Sequence, residues 1–72
     1  MVLLTLEPDV GQVPLESVRK IEGVTETHML YGPYDAYAII EASNSRKLQD
    51  IVMKKIRNVD GILSTVTCFV AE

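Results

Sequence analysis

The segment from Tyr31 to Asp35 reads YGPYD and combines residue types that can bind a small zwitterion. Gly32 lets the backbone approach a ligand closely or adopt a positive φ. Backbone N–H groups can bind the carboxylate of such a ligand, while the carboxylate of Asp35 can bind its ammonium group. Tyr31 and Tyr34 would add apolar walls that carry hydroxyl groups. The same residue types are also typical of a plain turn, so spacing alone leaves a turn and a ligand site as alternatives.

Other chemical signatures are sparse. His28 is the only histidine and no local motif supplies it with a nucleophilic partner, so it reads as an ordinary strand residue. Cys68 alternates with aliphatic residues and is predicted to be a small buried side chain. The glycines form no phosphate-binding pattern, and no paired cysteines could hold a metal. The sequence therefore predicts no cofactor and no metal.

Composition limits the class of protein further. The chain has 72 residues, which predicts a single domain spanning residues 1–72, and 47% of them are hydrophobic. A net charge of −3 argues against a nucleic-acid-binding face. No apolar run is long enough for a membrane span, and the N-terminal segment lacks the basic region of a signal peptide. Together with a single unpaired cysteine, these features predict a cytoplasmic protein without a membrane partner.

Hydrophobic periodicity and turn residues predict four strands and two helices that position the YGPYD segment. Pro14 suits the first position of the first helix and Gly23 its C-terminal cap, with Val13, Leu15, Val18 and Ile21 as its apolar stripe. Ser43 or Asn44 can cap the second helix, and Gly61 ends it. The predicted strands are Val2 to Glu7, Val24 to Tyr31, Ala36 to Ala42 and Ile62 to Ala71.

The element order is therefore β-α-β-β-α-β. A weak internal repeat supports it, since KIEGVTET from Lys20 aligns with NVDGILST from Asn58. Two such halves with right-handed crossovers give an α+β, ferredoxin-like fold, with a four-stranded antiparallel sheet and both helices on one face.

The other face of this sheet has no helix to cover it. Alternation along the strands predicts that Leu3, Tyr37, Ile39 and Phe69 lie on this uncovered face, whereas Ala36, Ala38, Ile40 and Ala42 face the helices. A contiguous exposed apolar patch usually marks an interaction surface. We therefore expect a homodimer or a larger assembly in which two sheets pack face to face.

Three segments together resemble the regulatory, amino-acid-sensing domain of the leucine-responsive regulatory protein/asparagine-regulator (Lrp/AsnC) family of transcription factors. They are KIEGV at the start of the second strand, GPYDAYAIIEA, and VDGILSTVTCFV at the last strand, and the resemblance covers essentially the whole chain. It implies dimers that pair through their sheets, ring-like assembly of dimers, and an amino acid bound between dimers. The residues it implies for that site are Tyr31, Gly32, Tyr34, Asp35, Thr65 and Thr67.

Family regulators usually begin with a helix-turn-helix domain, whereas this sequence starts at the first sensor strand. The resemblance therefore implies a stand-alone module that does not bind DNA directly and can assemble with a full-length regulator. Two alternatives remain open. One is a small dimeric enzyme acting on a polar metabolite, with His28, Tyr34 and Asp35 as acid–base groups. The other is a structural assembly partner without a ligand.

Overall fold

The computed structural model describes residues 1–69. The four strands form one antiparallel sheet in the order β2-β3-β1-β4, and both helices pack on the same face of it. The predicted ferredoxin-like α+β fold is confirmed. The elements are β1 Val2–Leu6, α1 Val13–Arg19, β2 Val24–Met29, β3 Ala36–Ile40, α2 Ser45–Ile51, a π-helical turn Val52–Ile56, and β4 Ile62–Thr67.

The strands are shorter than predicted. β2 ends at Met29 and β3 at Ile40, and β4 ends at Thr67. The predicted extension of the last strand to Ala71 includes residues 70 and 71, which lie outside the described residues.

Helix α1 begins as the sequence predicts, with Pro14 in its first turn, where a missing backbone N–H costs no hydrogen bond. Leu15 and Val18 are buried against the sheet, and Ile21 is half-buried beside them. Val13 is 65% exposed, so its predicted place in the apolar stripe is wrong.

Gly23 does not cap α1, contrary to the prediction. The helix ends at Arg19, and Gly23 lies in the following turn with a φ of 99°. A Cβ atom there would lie 3.1 Å from the backbone oxygen of Glu41 and 3.1 Å from Cδ1 of Ile51. Glycine is therefore needed at this position for a close approach between the turn and the end of β3.

The second helix begins at a side-chain cap and then widens. The side-chain Oδ1 of Asn44 accepts a hydrogen bond of 2.9 Å from the backbone N–H of Lys47, which confirms one of the two predicted caps. After Ile51 the chain forms the π-helical turn, in which the Arg57 N–H donates to the Val52 carbonyl at 3.0 Å. Sequence periodicity predicts a regular helix here, and the wider turn is a departure from it.

The core lies between the sheet and the helices. Alternate residues of β1 and β3 are buried, as the sequence pattern predicts. Ala42, which was also predicted to face the helices, lies beyond the end of β3 and is exposed. The buried apolar side chains are Val2, Leu4, Leu6, Leu15, Val18, Ala36, Ala38, Ile40, Val52 and Ile56.

The sheet face opposite the helices, called the open face below, carries a row of apolar side chains across three strands. Leu3 lies opposite Tyr37 on β3 and opposite Val66 on β4, and residues paired in this way point to the same face. Ile39, Glu26 and His28 share this face through the β2–β3 pairing.

The predicted facing of β4 is therefore wrong. Val2 lies opposite Thr67 and Leu4 opposite Thr65, which places both threonines on the helix side. Phe69 lines a hollow on that side together with them, so it does not belong to the open face. Val66, and not Phe69, is the apolar residue that β4 contributes to the open face. Cys68 is exposed, although it was predicted to be buried.

Candidate functional site

The connection between β2 and β3 contains the YGPYD segment. Its ends are joined by a hydrogen bond from the Leu30 N–H to the Asp35 carbonyl, at 2.8 Å. Tyr31 is fully exposed and Tyr34 is half-buried. Gly32 has a φ of 143°, a conformation that other residues rarely adopt, and a Cβ atom there would meet nothing within 4 Å. The loop therefore presents an aromatic side chain and an accessible backbone to its surroundings.

Asp35 is fixed to strand β1 by two hydrogen bonds. Its backbone N–H donates to the Leu4 carbonyl at 2.9 Å, and its side-chain Oδ2 accepts from the backbone N–H of Leu6 at 2.8 Å. The carboxylate thus takes the place of a backbone carbonyl where the β1–β3 pairing ends. One carboxylate oxygen is engaged within the fold, and the other can face a ligand.

A hollow of about 400 Å³ lies beside Asp35, between the end of β1, the loop that follows β1, and the end of β2. Its wall also carries the carboxylates of Glu7 and Asp9, and Leu6 and Met29 supply apolar surface. Three carboxylates around one hollow favour a cationic group such as an ammonium.

Thr65 and Thr67 line a different hollow, of about 580 Å³, between β4 and the second helix. The volume is within the range that binds small molecules. Strand β1 separates the two hollows, because Leu4 accepts from Asp35 on one side and lies opposite Thr65 on the other. Because neighbouring strands lie about 4.8 Å apart, the backbone at Asp35 and the backbone of β4 at Thr65 are about 10 Å apart within one chain.

Sequence reasoning did not single out several residues of this larger hollow. Gln49 lies on α2, Met53 lies in the π-helical turn and Arg57 directly follows that turn, whereas Leu63 lies near the start of β4. The sequence could have indicated two of them, since Met53 and Arg57 are four residues apart and such residues project on the same side of a helix.

The other residues considered for chemistry do not converge. His28 lies on the open face, where its Nε2 is 3.2 Å from Oε1 of Glu26 and its ring centroid is 5.1 Å from that of Tyr37. Asp35 instead lines the hollow at the end of β1 and accepts from the Leu6 N–H, and no hydrogen bond joins it to His28 within the described residues. Within residues 1–69, no three His, Cys, Asp or Glu side chains are grouped as a metal site would require. No helix in that same part of the chain is long and apolar enough to cross a membrane.

Two solved structures share this fold. The crystal structure of FFRP-DM1 superposes with a TM-score of 0.82 at 23% identity, covering 90% of this chain and 87% of that one. A hypothetical protein from Pyrococcus horikoshii gives a TM-score of 0.75 at 25% identity, covering 99% of this chain and 87% of that one.

Sequence comparison gives the family. An uncharacterised HTH-type transcriptional regulator of Pyrococcus furiosus is 35% identical over 69 residues, and one of Pyrococcus horikoshii is 33% identical over 69 residues. Each match covers 92% of this chain but 46% of the relative, so the chain spans about half the length of these regulators. The family model described as the Lrp/AsnC ligand binding domain matches residues 1–72. The chain therefore belongs to the Lrp/AsnC ligand-binding domain family.

Proposed function

We propose that this domain binds an amino acid as effector and modulates transcription by assembling with itself or with full-length regulators of its family. The observation that carries the proposal is the division of the candidate site between two hollows. Asp35 lies in an acidic hollow, whereas Thr65 and Thr67 lie in another on the far side of β1. A site that uses both halves requires a second copy of the domain, which couples ligand binding to assembly.

The roles of the residues follow from their chemistry. The free oxygen of Asp35 binds the ligand ammonium group, and Tyr31, Gly32 and Tyr34 cover the ligand from the loop. Thr65 and Thr67 of a neighbouring copy supply hydroxyl groups as hydrogen-bond donors or acceptors.

The open face supports the assembly part of the proposal. Leu3, Tyr37 and Val66 form a continuous apolar row, and Ile39 extends it. In a monomer this row is in contact with water, and pairing two such faces removes it. A two-fold pair of open faces leaves the loops and the β4 hollows free for contacts between pairs.

The proposal includes no catalysis. Among residues 1–69, His28 contacts Glu26 and Asp35 accepts from the Leu6 N–H, and no hydrogen bond joins these two acid–base groups of the enzyme alternative.

The test is thermal unfolding of the purified protein in the presence of each of the twenty amino acids at millimolar concentration. A ligand that binds only the folded state stabilises it by about 2.7 kcal/mol at roughly 100 times its dissociation constant. In a domain of this size the midpoint should rise by several degrees. We expect a rise with one or a few amino acids. The absence of a rise with any of them would contradict the proposal and favour the structural partner.

A further inference from the structure

The hollow between β4 and the second helix differs in charge from three other hollows in the described part of the chain. Among the described residues, its lining contains the guanidinium of Arg57 and no carboxylate. The hollow beside Asp35 carries three carboxylates, and so does the one between the β1–α1 loop and Asp60. A fourth, smaller hollow contains two glutamates and two lysines. In a chain of net charge −3, the β4 hollow thus favours an anion more than these three hollows do.

Arg57 is available to bind such an anion. Its guanidinium donates to the sulfur of Met53 at 3.3 Å, and a thioether is a weak acceptor. In the described part of the chain no carboxylate lies within ion-pair distance of Arg57. The residue follows directly after the π-helical turn, and π-helical turns are frequent at functional sites.

The rest of the lining is apolar where a ligand side chain would pack. Met53, Leu63 and Phe69 are each more than half exposed, and all three converge on this hollow. Large apolar side chains that gather around one concave surface usually mark a contact site. Thr65 and Thr67 add hydroxyl groups to the same wall.

We propose that the β4 hollow binds a carboxylic acid with an apolar side chain, with Arg57 as the residue that binds the carboxylate. A guanidinium pairs with a carboxylate through two parallel hydrogen bonds, which fixes the orientation of the ligand. The ligand side chain packs on Met53, Leu63 and Phe69, and its α substituent faces Thr65 and Thr67. This inference rests on the proposed function, deepens it by naming the ligand class, and assigns the carboxylate to Arg57 instead of the loop amides.

Two kinds of compound share this chemistry: an apolar amino acid and the 2-oxo acid of the same carbon skeleton. They differ at the α carbon, where the amino acid carries the ammonium group that Asp35 of a neighbouring copy would bind. Leucinamide provides the opposite comparison, because it keeps the ammonium and the side chain but has no carboxylate.

The experiment is isothermal titration calorimetry of the purified domain with leucine, methionine, phenylalanine, their 2-oxo acids, leucinamide, lysine and glutamate. We expect binding of at least one apolar carboxylate and none of leucinamide. Arg57→Gln should weaken that binding by about tenfold or more, because it removes a charge-assisted hydrogen-bonded pair. Lys54→Gln is the matched control, since it removes an exposed cation from the π-helical turn that precedes Arg57, and Lys54 does not line the hollow.

The outcomes separate this inference from the proposed function. Unchanged affinity of Arg57→Gln for a bound amino acid would overturn the inference and leave the proposed function intact. Binding of lysine or glutamate in preference to every apolar acid would also overturn the inference and leave the proposed function intact. Binding of a 2-oxo acid through Arg57, together with no effect of any of the twenty amino acids in the thermal screen, would support the inference and overturn the proposed function. Binding of none of these compounds would overturn the inference, whereas the proposed function fails only if none of the twenty amino acids raises the midpoint of thermal unfolding.

The position of the ligand can be read from the methionine methyl groups in an NMR spectrum. The chain has three methionines, of which Met53 lines the β4 hollow, Met29 lines the hollow beside Asp35, and Met1 lies at the N-terminus. We expect the ligand to shift the Met53 methyl signal. A shift confined to Met29 would place the ligand in the acidic hollow and overturn the assignment.

Discussion

The Oδ2 atom of Asp35 accepts a hydrogen bond of 2.8 Å from the backbone N–H of Leu6. This bond joins the candidate ligand loop to the end of β1, and it gives Asp35 a structural role in addition to the proposed role in binding. Leu6 is buried, so loss of the acceptor leaves its N–H without a partner in a partly buried position.

Asp35→Ala should lower the free energy of unfolding by about 2 kcal/mol, because a hydrogen bond to a charged group is lost and a buried donor remains. Asp35→Asn retains an acceptor oxygen and should lose less than half as much. Urea denaturation of both variants measures the difference. An equal loss of unfolding free energy in the two variants would show that Asp35 does not stabilise the fold through its hydrogen bond with the Leu6 N–H. The Asn variant is therefore the better one for testing ligand binding.

Gly61 should tolerate substitution poorly. It has a φ of 94°, and a Cβ atom there would lie 2.6 Å from Cγ of Pro14 on α1. Gly61→Ala should cost about 3 kcal/mol, from backbone strain together with the displaced contact. Gly11→Ala is the control, since Gly11 has a φ of 61° with nothing near its Cβ position, and it should cost about 1 kcal/mol. A similar loss in both, measured by denaturation, would exclude the Pro14 contact as a cause.

The side-chain cap of α2 gives a prediction for the stability of the helical segment that precedes Arg57. Asn44→Ala removes the acceptor of the Lys47 N–H and should lower the free energy of unfolding by about 1 kcal/mol. Ser43 is the neighbouring exposed residue and makes no cap, so Ser43→Ala should change the free energy of unfolding by less than about 0.5 kcal/mol. Thermal or chemical denaturation measures both. A larger loss in the Ser43 variant would mean that the cap is assigned to the wrong residue.

The open face should lose its self-association when a charge is placed in its apolar row. Val66→Lys puts an ammonium beside Leu3, and burying an unpaired charge between two sheets is strongly unfavourable. We expect a folded monomer by light scattering, where the wild type has at least the mass of a dimer. Val13→Lys changes an exposed residue on α1, away from this face, and should keep the wild-type mass. An unchanged mass for Val66→Lys would exclude the open face as the interface.

The fold was predictable from local signals. The alternation in VLLTL and AYAII, the glycines between elements and the Pro14 start of α1 determine the order of the elements, and burial of Leu4 and Ala38 follows from that alternation. The position of the YGPYD loop between β2 and β3 was predictable for the same reason. The proposed roles of its residues stay predictions.

What the sequence could not show depends on pairing between distant residues. In β4, threonines alternate with the more apolar Val66 and Cys68, so the pattern favours burial of the latter pair, whereas the structure places Thr65 and Thr67 on the helix side. That choice follows from the register with β1, where the pairing shifts between Thr5 and Leu6. The Asp35–Leu6 bond spans 29 residues, and the π-helical turn widens a helix whose apolar spacing is also compatible with regular geometry.

The central claim is that one amino-acid site is built from the loop of one copy and the β4 hollow of another. The most direct test uses the ligand found by the thermal screen and two variants, Asp35→Asn and Thr65→Val, which remove one half of the site each. Each variant alone should bind the ligand weakly by calorimetry. When the two are unfolded together and refolded as a mixture, some sites should combine an intact loop with an intact hollow, and part of the wild-type binding should return. A mixture that binds no better than the separate variants would contradict the claim and place the site within a single chain.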